Sequence, residues 1–188
     1  MAGHSKWAQI KRAKAVTDAA RSRVFSRFAR LITLESKKTG GKVDSPTLKA
    51  VIDRAKAANM PKDNIERAVA KGISKDSGDL EQVVYEAYGP GGVAIVVDAL
   101  TDSRNRTTQE VKLVFTKNEI EMATPGSASW AFTKSYEGFT ANEPLMDIAG
   151  EDEEKLQNLL SQLDEQDDVQ AVYTNARGYE STAESEGE

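Results

Sequence analysis

The hydrophobic period changes once along this chain, across the polar stretch from Ser74 to Glu81. Upstream, apolar residues recur every three or four positions, the period of a helix face. Downstream they come in alternating or unbroken runs, the period of a sheet. A segment patterned for one cannot bury its apolar side as the other. The 188 residues suit one large domain or two small ones, and the change of period selects two.

In the helical part, Thr17 or Asp18 can cap a helix that runs to about Lys38, where Gly40-Gly41 ends it. Val24, Phe25, Phe28, Leu31 and Ile32 share one face of this helix. Arg23, Arg27 and Arg30 fall on the opposite face, with Leu34 projecting among them. Ser45-Pro46, a cap followed by proline at the first helical position, opens a second helix. Its inward stripe is Leu48, Val51, Ile52 and Ala55, and it stops before Asn59-Met60-Pro61. A third helix turns Ile65, Ala68 and Val69 inward, with Gly72 as its terminator. The three make a small bundle.

In the mixed part, Gln82–Tyr88 and Val93–Leu100 read as a hairpin around Gly89-Pro90-Gly91-Gly92, the second strand being central. A helix follows from about Arg104 to Lys117, with Val111, Val114 and Phe115 inward. Ile120–Met122, Ala128–Thr133 and Glu137–Thr140 are strand candidates. A helix over Glu151–Leu163 precedes a last strand at Val169–Tyr173. The expected class is therefore α+β: an N-terminal three-helix bundle, then a ferredoxin-like α/β sandwich. The expected division is a basic helical domain over 1–75, an acidic sandwich over 80–176 and an acidic, unstructured tail over 177–188.

Charge follows the same division. Residues 1–75 hold 18 Lys and Arg against 6 Asp and Glu, net +12, whereas residues 76–188 hold 7 against 24, net −17. Such asymmetry points to a polyanion-binding module joined to a part that repels polyanions. The plainer alternative is a helical surface that is basic and merely solvated. With no cysteine and one histidine, disulfides, thiolate metal sites and most hydrolase triads lose their reagents. A lone His4 does not make a metal site, which needs several ligands. No apolar run of about 18 residues is present to cross a membrane. The basic opening lacks a secretory apolar stretch and only faintly resembles a transit peptide, so a cytoplasmic home is expected.

Two constellations are candidates for binding. Lys6, Lys11, Arg12, Lys14, Arg21, Arg23, Arg27 and Arg30 form a cationic stretch interleaved with Trp7. Such a surface can neutralise phosphates, and the indole either stacks on a base or packs with Ile10 in the core. The second is Asp102-Ser103-Arg104-Asn105-Arg106-Thr107, where two arginines occupy a first helical turn and oppose the helix dipole. A bound anion at that helix start would relieve the conflict. Equally, Arg104 and Arg106 can pair with Asp98 or Asp102. No P-loop, metalloprotease or nucleophile-elbow pattern occurs, so an enzyme is not expected.

The opening Met1-Ala2-Gly3-His4-Ser5-Lys6-Trp7-Ala8-Gln9-Ile10-Lys11 resembles the signature start of the YebC/PmpR family, whose mitochondrial members are translational activators of cytochrome c oxidase. The resemblance recurs at Ala57-Ala58-Asn59-Met60-Pro61-Lys62-Asp63-Asn64-Ile65, Tyr85-Glu86-Ala87-Tyr88-Gly89-Pro90-Gly91-Gly92, Ser103-Arg104-Asn105-Arg106-Thr107 and Asp167-Asp168-Val169-Gln170-Ala171-Val172-Tyr173. It implies a helical N-terminal domain, α/β domains, no enzymatic activity and no cofactor. It also implies either a DNA-binding transcriptional regulator or a translation factor at the ribosome. Two departures stand out. Family members usually carry a third domain inserted after the strand near Trp130, where a short link over about 136–143 is expected here. Lys11-Arg12-Ala13-Lys14 replaces a motif that usually has a central His and Arg.

The resulting expectation is a monomeric, non-enzymatic regulator that binds DNA or ribosomal RNA and not membranes. The alternative is a protein–protein adaptor whose basic helices meet an acidic partner.

Overall fold

The computed structural model describes residues 6–14 and 17–183. In chain order it forms α1 (Lys6–Lys14), α2 (Asp18–Thr39), α3 (Pro46–Ala57), α4 (Lys62–Ile73), β1 (Glu81–Tyr88), β2 (Ala94–Thr101), α5 (Arg104–Lys117), β3 (Met122–Ala123), β4 (Phe132–Ser135), β5 (Gly138–Ala141), α6 (Gly150–Asp164) and β6 (Val169–Thr174). Two compact units result: α2–α4, within residues 15–81, and a unit joining α1 to the chain from Gln82 onward.

Local signals fix the ends of the helical unit. The Thr17 hydroxyl accepts the Ala20 N–H at 3.2 Å, and Gly40, at φ 62°, closes α2 in the left-handed conformation. Asn59 takes the same conformation after α3, so that the Met60 N–H reaches back to the Ala55 carbonyl at 3.0 Å. Phe28, Ile32, Leu48, Ile52, Ala55, Met60, Ile65 and Ala68 form the core.

Two expectations fail here. Gly72 does not terminate α4; it lies inside the helix and against α2, where a β-carbon would come within 2.6 Å of the Thr33 carbonyl oxygen and of the Ser36 β-carbon. The glycine allows close helix approach, sealed by Thr33 Oγ1 donating to the Ala68 carbonyl (3.2 Å) and Ser36 Oγ to that of Val69 (2.7 Å). Arg27 is also not on a solvated face, being only 6% exposed. Because α4 covers Thr33 and Ser36 as well, the buried arc of α2 is wider than its apolar stripe.

The second unit is an α+β sandwich. Its sheet runs β3-β1-β2-β6, with β4 and β5 as a separate two-stranded sheet. β6 pairs antiparallel to β2, with Val96 opposite Tyr173, and β3 antiparallel to β1. One sheet face packs Ile95, Val97 and Val172 against Val111 and Phe115 of α5 and Leu156, Leu159, Leu160 and Leu163 of α6. The other packs Ala94, Val96 and Tyr173 against Phe132 and Phe139. β2 is buried along its whole length, as its unbroken apolar run predicts. The strand expected over Ala128–Thr133 begins as a 3₁₀ turn, Ser129–Ala131, and becomes β4 only at Phe132. A tight turn at Tyr136-Glu137 leads into β5, and residues 142–149 reach α6 with no inserted domain.

The division at residue 75 is also revised at both ends. α1 packs in the sandwich core, so the helical unit starts after Lys14. Arg177–Ala183, expected to open an unstructured tail, is folded. Tyr179 and Thr182 are fully buried, and the Thr182 N–H donates to the Val172 carbonyl at 2.9 Å. Residues 184–188 lie outside the described residues.

Candidate nucleic-acid interface

α1 settles the two readings of Trp7. Its ring is 3% exposed within the sandwich core, and its backbone N–H donates to the Gly178 carbonyl at 3.1 Å. It is a core residue with no face to offer a base. The cations beside it are engaged too. Lys6 Nζ donates to Glu153 at 2.6 Å, and Lys11 Nζ donates to the Thr182 carbonyl at 2.6 Å. The Lys6 ammonium, then the Tyr179 hydroxyl, hold the Glu153 carboxyl below its usual value. Burial, with Glu153 alongside, pushes the Tyr179 hydroxyl up to about 12. His4 and the side chains of Arg12 and Lys14 lie outside the described part of the molecule.

The remaining cations belong to the helical unit. Over residues 15–81 there are 14 Lys and Arg against 9 Asp and Glu, net +5. Arg21 pairs with Asp18 at 2.7 Å. Arg23 and Arg30 are half-buried. Exposed Lys42, Lys56, Lys71 and Lys75 form no ion pair among the described residues. Ile73 lies over Gly41, which brings the α2–α3 loop beside the end of α4. That end of the bundle thus carries Lys42, Lys71 and Lys75 together with exposed Val43 and Ile73. These three lysines are scattered singly among neutral and acidic residues and do not stand out by local density of charge. Gly41, which lies against Ile73, is the available signal for the meeting of loop and helix.

At the start of α5 the conflict between arginine and dipole has an internal answer. Arg106 donates to Asp168 at 2.9 Å and to Asp102 at 2.8 Å. The Asp168 carboxylate, 2% exposed, also accepts from Thr107 at 2.6 Å and Thr101 at 3.3 Å. The anion at this helix start is therefore the chain's own. The hydrogen bonds that Arg106 donates, to Asp168 first and then to Asp102, raise its pKa. Asp98, the other expected partner, is occupied by Gln82 at 2.8 Å instead. Arg104 and Asn105 stay exposed.

Aromatic residues give a second surface, one with little charge. Buried Glu86 accepts three backbone N–H groups, from Gly126 (2.8 Å), Ala128 (2.7 Å) and Ser129 (2.8 Å). Burial alone would raise its carboxyl, but these donors outweigh it and hold the group below its ordinary value. The anchored loop presents Trp130, which is 67% exposed and donates its indole N–H to Tyr88 Oη at 2.7 Å.

The chain thus combines a three-helix unit bearing exposed lysines without ion pairs among the described residues and an α+β unit whose helix start is occupied by its own Asp168. The chain belongs to the TACO1/YebC family: the model described as TACO1/YebC protein N-terminal domain matches residues 5–75, and that described as TACO1/YebC second and third domain matches residues 80–138. A relative from Francisella tularensis subsp. novicida is 49% identical over 155 residues, covering 79% of this chain and 62% of its own length. One from Chromohalobacter salexigens is 49% identical over 136 residues, covering 71% of this chain and 55% of its own. Both are named "Probable transcriptional regulatory protein". The chain thus spans less than two thirds of these relatives. The crystal structure of a conserved hypothetical protein from Aquifex aeolicus superposes with TM-score 0.76 at 31% identity, covering 85% of this chain and 91% of that one. Among the described residues no helix is long and apolar enough to cross a membrane, and no three His, Asp or Glu side chains gather as a metal site.

Proposed function

We propose that this protein is a non-enzymatic, nucleic-acid-binding regulator of gene expression that acts as a cytoplasmic monomer without a cofactor. The observation that carries this reading is the set of exposed lysines without ion pairs on the helical unit, Lys42, Lys56, Lys71 and Lys75. Relatives named as transcriptional regulators support it. In this reading the helical unit grips phosphates, with Arg21, Arg23 and Arg30 extending the surface, while Arg104 and Asn105 add contacts from the sandwich. The acidic remainder limits indiscriminate binding. Target nucleic acid is promoter DNA or ribosomal RNA. Ultraviolet crosslinking in cells, followed by sequencing, separates transcription from translation by which of the two is enriched.

The binding claim has its own test. Reversing Lys42, Lys71 and Lys75 to Glu should weaken binding and reduce the slope of log K against log salt by about 0.7–0.9 per lost phosphate contact. An unchanged slope with an unchanged fold defeats the assignment of these lysines. Exposed Val43 and Ile73 beside them favour one second reading, an adaptor that takes an acidic, amphipathic protein segment. In that case the triple reversal abolishes capture of the partner, and nucleic-acid binding by the unaltered protein is absent.

A further inference from the structure

Trp130 is an unusual way to expose an indole. Two thirds of the residue faces water, yet it is not free to turn. Its N–H is bonded to Tyr88 Oη, and the Tyr88 hydroxyl donates in turn to the Ser127 carbonyl. The Trp130 carbonyl accepts from Asn142 Nδ2 at 3.3 Å, and the preceding loop is pinned by Glu86. A large apolar ring held in one orientation at the surface gives up side-chain entropy without burying area in return.

We infer that Trp130 is a stacking platform for unpaired nucleobases. The inference rests on the nucleic-acid reading above and specifies single-stranded segments as what this surface takes. Three features select that occupant. The indole N–H and the Tyr88 hydroxyl are both spent internally, so the surface offers a π face and few donors. A docking peptide would bring backbone groups that need partners, whereas a base stacks through its ring alone. Bases inside a duplex are already stacked and show only their edges. Charge agrees as well. In a half of the chain with 24 acidic residues, residues 122–142 contain one, Glu137, and one base, Lys134. This stretch of the acidic half is thus nearly neutral, and the carboxylate beneath it, Glu86, is buried and held by three backbone N–H groups.

The full-length protein carries its own probe, since of its two tryptophans Trp7 is buried and Trp130 exposed. A non-pairing RNA oligomer should quench the emission of the unaltered protein, and a duplex of equal phosphate number should not. Trp130→Ala should weaken binding of the single strand about five- to 150-fold and leave duplex binding unchanged. Trp130→Phe keeps a ring and should keep most of the affinity. Tyr88→Phe removes the acceptor that orients the indole and should fall between the two. If the unaltered protein binds either nucleic acid in a salt-sensitive way but Trp130→Ala binds single strands equally well, the platform is wrong and the nucleic-acid reading stands. If the unaltered protein binds neither, both fall.

Discussion

At the residue scale, Asp168 changes the meaning of the arginines after it in space. Cations in a first helical turn cost some tenths of a kcal/mol each against the dipole. Removing one partner of a buried, hydrogen-bonded group costs about 1–3 kcal/mol. The second effect is larger, so Arg106→Ala should destabilise the protein even though it relieves the dipole conflict. Urea denaturation checks this: the midpoint should fall without a change in slope. A midpoint that holds or rises would restore the helix start as a site awaiting an external anion. Arg104 is exposed, and Arg104→Ala should cost less. Sequence alone allowed Asp102 as a partner and not Asp168, because residues 106 and 168 meet only once β6 is laid beside β2.

At the element scale, the loop from Thr124 to Ala131 is held by a carboxylate, and this makes it sensitive to acid. Glu86 titrates below its ordinary value of 4.5 in the folded protein. It therefore contributes stability that is complete above that value and is lost as pH falls through its folded value. Asp98 has the opposite sign. Burial outweighs the Gln82 amide and the Lys134 charge and raises its carboxyl, so its ionised form opposes folding until acid neutralises it. The difference between the unaltered protein and Glu86→Gln isolates the first effect. The variant should be less stable by about 1–3 kcal/mol near neutrality, with the gap narrowing as pH drops below 4.5. A gap that is constant with pH would mean that Glu86 supports the loop by shape and not by charge. The elements themselves were legible where periodicity and caps agreed: α2, α3 and α5 lie within a residue or two of where Thr17, Gly40, Pro46 and Ser103 put them. Legibility failed where the deciding contact was distant. Gly72 carries the same local signature whether it ends a helix or admits a neighbour. Arg27 lies opposite the apolar stripe and is buried anyway. Trp7 was left between two roles, since its pocket is built by residues from the far end of the sequence.

At the scale of the whole molecule, the helical unit is an insertion: the chain leaves the sandwich after α1 and re-enters it at β1. Grouping residues 1–75 as one domain separated α1 from the sandwich core in which it packs. Replacing Trp7 with Ala should cost about 3–5 kcal/mol. Hydrogen exchange in the full-length protein should show that loss at the amides of β2 and β6, with those of α2–α4 retaining their protection. Loss confined to α2–α4 would return α1 to the bundle. The attachment of α1 also has a consequence in time. Lys11 and the carbonyl it binds lie 171 residues apart in sequence. At a synthesis rate of about 5–20 residues per second, α1 waits roughly 10–30 seconds before its partners leave the ribosome. The bundle can close as soon as Glu81 has emerged, but the sandwich cannot, however early its strands are made. During that interval a basic stretch carries an uncovered tryptophan, and it cannot dock before the chain beyond β6 has been made.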